Sequence, residues 1–427
     1  VLVFAVASGD PQVQGHTANT ESWMLLPLVL AAAACVRGWQ RGGRLLWVAC
    51  GACAALACWF KQVAATDALL LAAAVRGDAI LGRPTPPPRE AASRLALFAL
   101  GGALVSAPIL LAFAVHGAFA PFADAVLLHN LSYAQGRSAG GALANLRFAL
   151  GRQLPTFALL WALALFGWLA SGGAPVRVRH ALAAWWIASL LGAAIGLHFR
   201  PHYFLQAVPA LSALAGVGAA ALCMRLVARG GVLRVAAVPA LAALLVLVPL
   251  AAHRELLFAG SPAEISRRFY GLNPFVESLE IAEHIRQRTE PQETVFIVGS
   301  EPQILFYAGR RSATRYIFFY PLTGAFPDVA ERQREAIAEL DAARPRYLVW
   351  VDVPVSLLRS PRTRSWIFDT LLVRQRRDYR LELIARIDVN TGRYRIERGE
   401  EALRWVRGLR TSGLGSLPSV AVYRRFR

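Results

Sequence analysis

Long apolar stretches separated by short polar connections fill the chain up to about residue 252, and beyond residue 253 apolar and charged positions alternate at short period. A helix that crosses a bilayer needs about 20 mostly apolar residues. Segments at roughly 22–37, 44–60, 63–75, 94–115, 154–170, 181–197, 203–222 and 233–252 approach that requirement, so the pattern predicts eight spans. The segment 63–75 is short, and a tilted or partly re-entrant element is the expectation there. Val1–Ala7 reads as the closing turns of a further apolar segment, part of a ninth span. No initiating Met, basic leader region or cleavage site stands ahead of it, so the expectation is a chain truncated on its N-terminal side.

The tail predicts a different architecture. Asn273–Arg288 carries a helical pattern, with Asn273 and Pro274 suited to its start. Thr294–Val298 is a β-branched run ending at Gly299, and Pro302–Tyr307 is placed to open a second helix. Asp328–Ala343 is amphipathic and Tyr347–Asp352 follows as a strand, while segments near 381–397 and 419–425 read as antiparallel strands. Such alternation predicts a small layered sheet with helices. The fold class expected is a polytopic α-helical membrane protein with a C-terminal soluble α/β domain, divided into 1–252 and 253–427.

Charge refines this picture. The formal net charge is +19, with 46 lysines and arginines, of which Lys61 is the sole lysine. A basic stripe for nucleic acid would fit the charge but not a chain that is half membrane, so no nucleic-acid partner is expected. The arginines instead sort the connections. Arg37, Arg41 and Arg44, then Arg76, Arg83, Arg89 and Arg94, then Arg177 and Arg179, then Arg225, Arg229 and Arg234 fall on alternate ones, which the positive-inside rule assigns to the cytoplasm. Gly9–Glu21, the Lys61–Gln62 turn, the loop 116–153, the His198–His202 turn and everything after about 253 then face outward. The localisation expected is the inner (plasma) membrane, multi-pass, with a periplasmic or otherwise extracytoplasmic C-terminal domain. Cys35, Cys50, Cys53, Cys58 and Cys223 all lie in apolar stretches and read as small buried hydrophobes. Cys50-x-x-Cys53 lacks the βαβ context of a redox motif.

Sidedness also sorts the polar residues. Asp10, His16, Asn19, Glu21, Lys61, His129, Arg200 and His202 collect on the outer side, and the inner connections offer little besides arginine. Charges placed near hydrocarbon cost a few kcal/mol each, so they tend to be paired, hydrated or functional. A carboxylate, a lysine, an arginine and histidines on one face suit a phosphorylated lipid headgroup. The cations would take the phosphate, and the carboxylate would orient a hydroxyl acceptor or take its proton. Plainer roles fit the same residues: Lys61 and Arg200 as snorkelling anchors, and Glu21 as an acid favouring a helix N-terminus after Asn19 and Thr20. His198 and His202 have the spacing of helical metal ligands, but Pro201 interrupts a regular turn, and no metal site is assigned. Asn130-Leu131-Ser132 matches a glycosylation sequon, a pattern too common to use. Spacing alone leaves the chemistry open.

Several stretches resemble a known family. Gly15-His16-Thr17-Ala18-Asn19-Thr20-Glu21-Ser22-Trp23-Met24-Leu25-Leu26-Pro27 is similar to the G-x-x-A-N-T-E-x-x-M-L-L-P stretch of bacterial GT-C glycosyltransferases of the PMT and aminoarabinose-transferase type, family 39 and its relatives. Phe60-Lys61-Gln62 resembles their lysine at the outer end of a later helix, and His202-Tyr203-Phe204-Leu205-Gln206 followed by Pro209 resembles their H-Y-F-L-Q-x-x-P. Asn273-Pro274-Phe275, Gly299-Ser300-Glu301-Pro302-Gln303 and Ala313-Thr314-Arg315-Tyr316 resemble the outer domain of a bacterial subgroup, so the likeness covers nearly the whole chain. It implies a GT-C fold and transfer of a sugar from a polyprenyl-phosphate donor to a lipid, protein or glycan acceptor at the outer face. The implied reaction is an inverting displacement with the lipid phosphate leaving. Carried over by position, Glu21 would be the catalytic-site acid that places the acceptor or a divalent cation. Lys61, Arg200 and His202 would face the donor phosphate, with His16 and Asn19 in the same substrate site. The family's principal carboxylate lies in the first outer loop, and this chain starts about four spans in. The expectation is therefore that the piece by itself is inactive.

Two other classes fit the sequence. A lipid-linked sugar transporter or flippase would show polar residues deep within spans, inverted repeats and broken helices; here the polar residues lie mainly at one edge. A non-catalytic envelope assembly protein would depend on the tail surface and tolerate loss of Glu21 and Lys61.

Overall fold

The structure, a computed structural model, describes residues 1–76, 86–128, 139–170, 172–228, 230, 232–324, 326–359, 363–388, 390–412 and 418–426. The chain divides into two compact units, Val1–Ala259 and Gly260–Arg427. Residues 253–259, placed by the sequence with the tail, belong to the first unit, where His253 reaches back to Asp10 at 3.1 Å.

The first unit is helical: α1 (Leu2–Ser8), α2 (Thr20–Arg41), α3 (Arg44–Phe60), α4 (Ala65–Arg76), α5 (Pro88–Val115), α6 (Phe119–Ala123), α7 (Ala139–Leu169), α8 (Val176–Ala194), α9 (Val208–Ala228) and α10 (Val232–Ala252). Short 3-10 helices, Gln62–Ala64 and Pro201–Ala207, precede α4 and α9. Among the described residues, four helices are long and apolar enough to cross a membrane: α2, α5, α7 and the continuous stretch Pro201–Ala228. The sequence pattern predicts eight. Helix length accounts for two of the other expected spans, 44–60 and 63–75. Lys61 adopts extended geometry (φ −156°, ψ 126°) and ends α3 after 17 residues, and α4 holds only 12. At 1.5 Å per residue α4 is about 18 Å long, against about 30 Å of hydrocarbon. The expected span 63–75 is thus a 3-10 turn followed by a helix with 12 described residues, up to Arg76.

Lipid gives little hydrophobic drive for helix association, so close packing through small residues takes over. A Cβ on Gly51 would overlap the carbonyl of Phe98, and one on Gly101 would overlap that of Val48, so α3 and α5 touch backbone to backbone. Gly167 and Gly218 bring α7 and α9 together in the same way. The ends of the helices differ chemically. Where the arginine-bearing connections lie, Trp39 donates to the Ala74 carbonyl at 3.0 Å, and Arg94 stacks over the Trp39 and Trp47 rings at 4.2 and 5.2 Å. Arg179 donates to the carbonyls of Trp168 and Ala170, and Arg225 rides over the Phe166 ring. These side chains cap open helix carbonyls or rest on aromatic faces.

The second unit holds a six-stranded sheet of order β2-β1-β3-β6-β4-β5, with β1 Thr294–Val298, β2 Arg311–Ser312, β3 Tyr347–Asp352, β4 Tyr379–Asp388, β5 Arg393–Arg398 and β6 Ser419–Arg425. β1 pairs in parallel with β2 and β3, while β6 runs antiparallel to both β3 and β4. Helices cover both faces, so the central strands are apolar on both sides. Val295 and Ile297 join Ile281, Ile285, Val349 and Val422 in one core, and Phe296 and Val298 join Phe319, Leu340, Leu348 and Ile367 in the other. The runs Thr294–Val298 and Tyr347–Asp352 are strands with the bounds their sequence predicts. Helices Pro262–Tyr270, Trp366–Asp378 and Gly399–Ser412 add to those expected from the pattern.

Candidate functional site

The polar end of the helical unit is built from three segments far apart in sequence. Glu21 lies in the first turn of α2, Lys61 ends α3, and His202 sits in the 3-10 helix ahead of α9. Lys61 Nζ pairs with Glu21 Oε1, and the carboxylate is 1% exposed against 21% for the lysine side chain. His202 Nε2 stands 4.0 Å from the same oxygen, and the Thr20 hydroxyl donates to Glu21 Oε2 at 3.2 Å. The lysine ammonium also lies 4.4 Å from the Tyr203 ring centroid, with the His202 and Tyr203 rings edge to face. A buried carboxylate is thus held by one half-exposed cation. Lys61 keeps further N–H donors that an oxyanion could share.

The other residues singled out by sequence have different places. Arg200 is exposed at the rim and enters no ion pair among the described residues, although its charge acts on His202. Asn19 is the N-cap of α2 in extended conformation, but its amide turns into its own loop, donating to Thr17 Oγ1 at 2.7 Å and Gln14 Oε1 at 3.4 Å. His16 stands in the same loop, within the field of Asp10 and against the Gly9 backbone. Asp10 is buried: its Oδ1 accepts the Gln12 amide at 2.7 Å and its Oδ2 faces His253 Nε2 at 3.1 Å. Arg152 of α7 holds Gln12 Oε1 at 2.9 Å. The sequence-expected set therefore separates into a cluster of Glu21, Lys61 and His202, a loop stabilised by Asn19 with His16 beside it, and a peripheral Arg200. His129 and Asn130-Leu131-Ser132 lie outside the described residues. His198 points its ring at the Gly196 carbonyl. Among the described residues, no group of three or more His, Cys, Asp or Glu side chains is placed to hold a metal ion.

An apolar cavity of about 380 Å³ is lined by Phe157, Trp161, Trp186, Leu190, Phe204 and Val208. Phe204 belongs to the same 3-10 helix as His202, so the cavity and the charged cluster share a structural element.

Sequence reasoning missed a second buried polar group. Asp67 in α4, Ser189 in α8 and Gln206 in the 3-10 helix are each fully buried. The Ser189 hydroxyl donates to Asp67 Oδ1 at 2.7 Å, and the Gln206 amide donates to the Ser189 carbonyl. The signal was present, since Asp67 is the single acid within the predicted span 63–75. His253 was missed as well, because it falls where the apolar pattern ends and no spacing links it to Asp10. Comparison with protein-family models, with curated proteins and with solved structures yields no match to this chain.

Proposed function

We propose that the chain belongs to a membrane glycosyltransferase of GT-C type that takes a sugar from a polyprenyl-phosphate donor and transfers it to a lipid, protein or glycan acceptor at the outer face of the plasma membrane. The observation that carries this reading is the convergence of Glu21, Lys61 and His202 on one point. Each comes from a separate stretch of the family resemblance. In this reading the acceptor hydroxyl oxygen bonds to the anomeric carbon while the carbon–oxygen bond to the donor phosphate breaks. The phosphate leaves with the electron pair, and the acceptor's proton passes to the principal carboxylate that the family resemblance places in the first outer loop. Lys61 and Arg200 offset the phosphate charge, and His202 faces the phosphate as a hydrogen-bonding group. Glu21 fixes Lys61 in place and orients the acceptor. The apolar cavity beside the 3-10 helix takes the first units of the lipid chain.

The test uses the full-length protein purified in detergent, supplied with radiolabelled polyprenyl-phosphate sugars and a membrane lipid extract. Label transferred to an acceptor, and lost with Glu21→Gln, supports the reading. A folded protein that transfers nothing from any such donor refutes it. A lipid-linked sugar transporter is the second reading, favoured by one observation: the Asp67–Ser189–Gln206 group is fully buried among the helices. It would move labelled donor across proteoliposome membranes with the donor chemically unchanged.

A further inference from the structure

We propose that Asp67, Ser189 and Gln206 form a binding site for one dehydrated monovalent cation of about the size of sodium. The argument starts from hydrogen-bond accounting. Asp67 Oδ1 accepts from the Ser189 hydroxyl, but Asp67 Oδ2 is buried with no partner. The Gln206 amide nitrogen is committed to the Ser189 carbonyl, which fixes the orientation of that side chain. Its Oε1 is therefore an acceptor, and it too is buried with no partner. Two buried acceptor oxygens, carried by the two residues that hydrogen-bond to Ser189, thus have no donor among the described residues. No Lys, Arg or His pairs with Asp67 among the described residues.

A buried carboxylate left in that condition is strongly unfavourable, so its charge is met by something. The surroundings specify what. Thr66 Oγ1 and the Val63 carbonyl lie 2.8 and 2.7 Å from the point where a Cβ on Gly192 would stand, and the Gln206 amide crowds the same point. The bare Gly192 lets α8 approach this group, so five oxygen-bearing residues gather around one turn of that helix. Every donor is a hard oxygen: carboxylate, amide carbonyl, hydroxyl and backbone carbonyl. Such a set favours alkali or alkaline-earth ions over soft metals. The single negative charge selects a single positive one, because a divalent ion would leave uncompensated charge in an apolar interior.

The site has a mechanical consequence. The 3-10 turn between Lys61 and α4 supplies Val63, and the 3-10 helix that carries His202 supplies Gln206. An ion held here ties together the two elements that place Lys61 and His202. The proposal stands independently of the transferase reading, since its readout is stability.

The experiment follows thermal unfolding of the full-length protein in detergent at fixed pH and ionic strength, with sodium chloride replaced stepwise by N-methylglucamine chloride. The midpoint is expected to rise saturably with sodium, with potassium less effective, and the rise is expected to vanish in Asp67→Asn. Gln206→Met, which keeps the bulk but removes the oxygen, should weaken the apparent sodium affinity about tenfold or more. If Asp67→Asn fails to fold, radioactive sodium binding to wild type and Gln206→Met decides the matter, with one ion per chain expected in wild type. A wild-type protein indifferent to sodium overturns the proposal in favour of a protonated Asp67 or a buried water. A sodium effect unchanged in both variants overturns it in favour of a different site.

Discussion

Removing Lys61 should cost far more than removing its partner, and the two losses should not add. Glu21 is 1% exposed, so without Lys61 its charge has only the Thr20 hydroxyl at 3.2 Å and the more distant His202 at 4.0 Å. Stranding a buried charge in this way typically costs about 3–5 kcal/mol, and Lys61→Met is expected to fall in that range. Glu21→Gln leaves a lysine that already reaches solvent and rests on the Tyr203 ring, so about 1–2 kcal/mol is expected. The double variant removes both charges and should return to within about 1–2 kcal/mol of wild type, a coupling of about 3–5 kcal/mol. Unfolding free energies of the four proteins, measured by denaturing-detergent titration with tryptophan fluorescence, complete the cycle. Two small and equal single losses that sum in the double variant would mark an exposed, solvent-screened bridge and refute the reasoning. The double variant also separates scaffold from chemistry: near-native stability without sugar transfer is expected if the pair serves the reaction.

Three further outcomes follow from other parts of the molecule. Gly101→Val forces α3 and α5 apart at a backbone contact and should lower stability by about 1–3 kcal/mol or more, read in the same titration; an unchanged midpoint would mean the helices are not in contact there. In the sheet unit, burial opposes the charge of Glu382, but hydrogen bonds from Tyr347, Arg424 and His284 outweigh it and hold its carboxyl below the usual range. Its contribution is therefore present at neutral pH and is lost as pH falls through that lowered value, so the stability gap between wild type and Glu382→Gln should close below about pH 4. Glu301 behaves oppositely: burial lifts its carboxyl above the usual range despite hydrogen bonds from Gln303 and Ser356. Glu301→Gln should raise the midpoint at neutral pH, and the gain should shrink as acid protonates the wild-type carboxyl; a loss at neutral pH would show that the charge itself is needed.

How far the sequence speaks depends on the range of the interaction. β1 and β3 were legible because a run buried on both faces has to be apolar and β-branched throughout, as Thr294–Val298 is. The helix Pro262–Tyr270 carries its signal in the Ser261–Glu264 capping box and not in an apolar period, so hydrophobic spacing does not reveal it. The end of α3 at Phe60 was legible, because Lys61 and Gln62 interrupt the apolar run. For the site, Glu21, Lys61 and His202 could be named one at a time, but their meeting is a property of helix packing that spacing does not encode. Asp67 was visible as a lone acid in an apolar run. Its partners Ser189 and Gln206 were not, since nothing local distinguishes a serine that meets a carboxylate 122 residues away.

The place of β6 bears on when this protein can be completed. Among the six described strands it is the last in sequence, yet it lies between β3 and β4 and, among the described residues, links the β2-β1-β3 group to the β4-β5 hairpin. Until Ser419–Arg425 has emerged and inserted, Tyr347–Asp352 and Tyr379–Arg386 present open strand edges. Such edges are templates for wrong pairing. The sheet unit therefore cannot be finished piecemeal during synthesis. It closes in one late step, and until then it is a client for chaperones and proteases. A premature stop only a few codons before residue 419 would be as damaging as one in the middle of the domain.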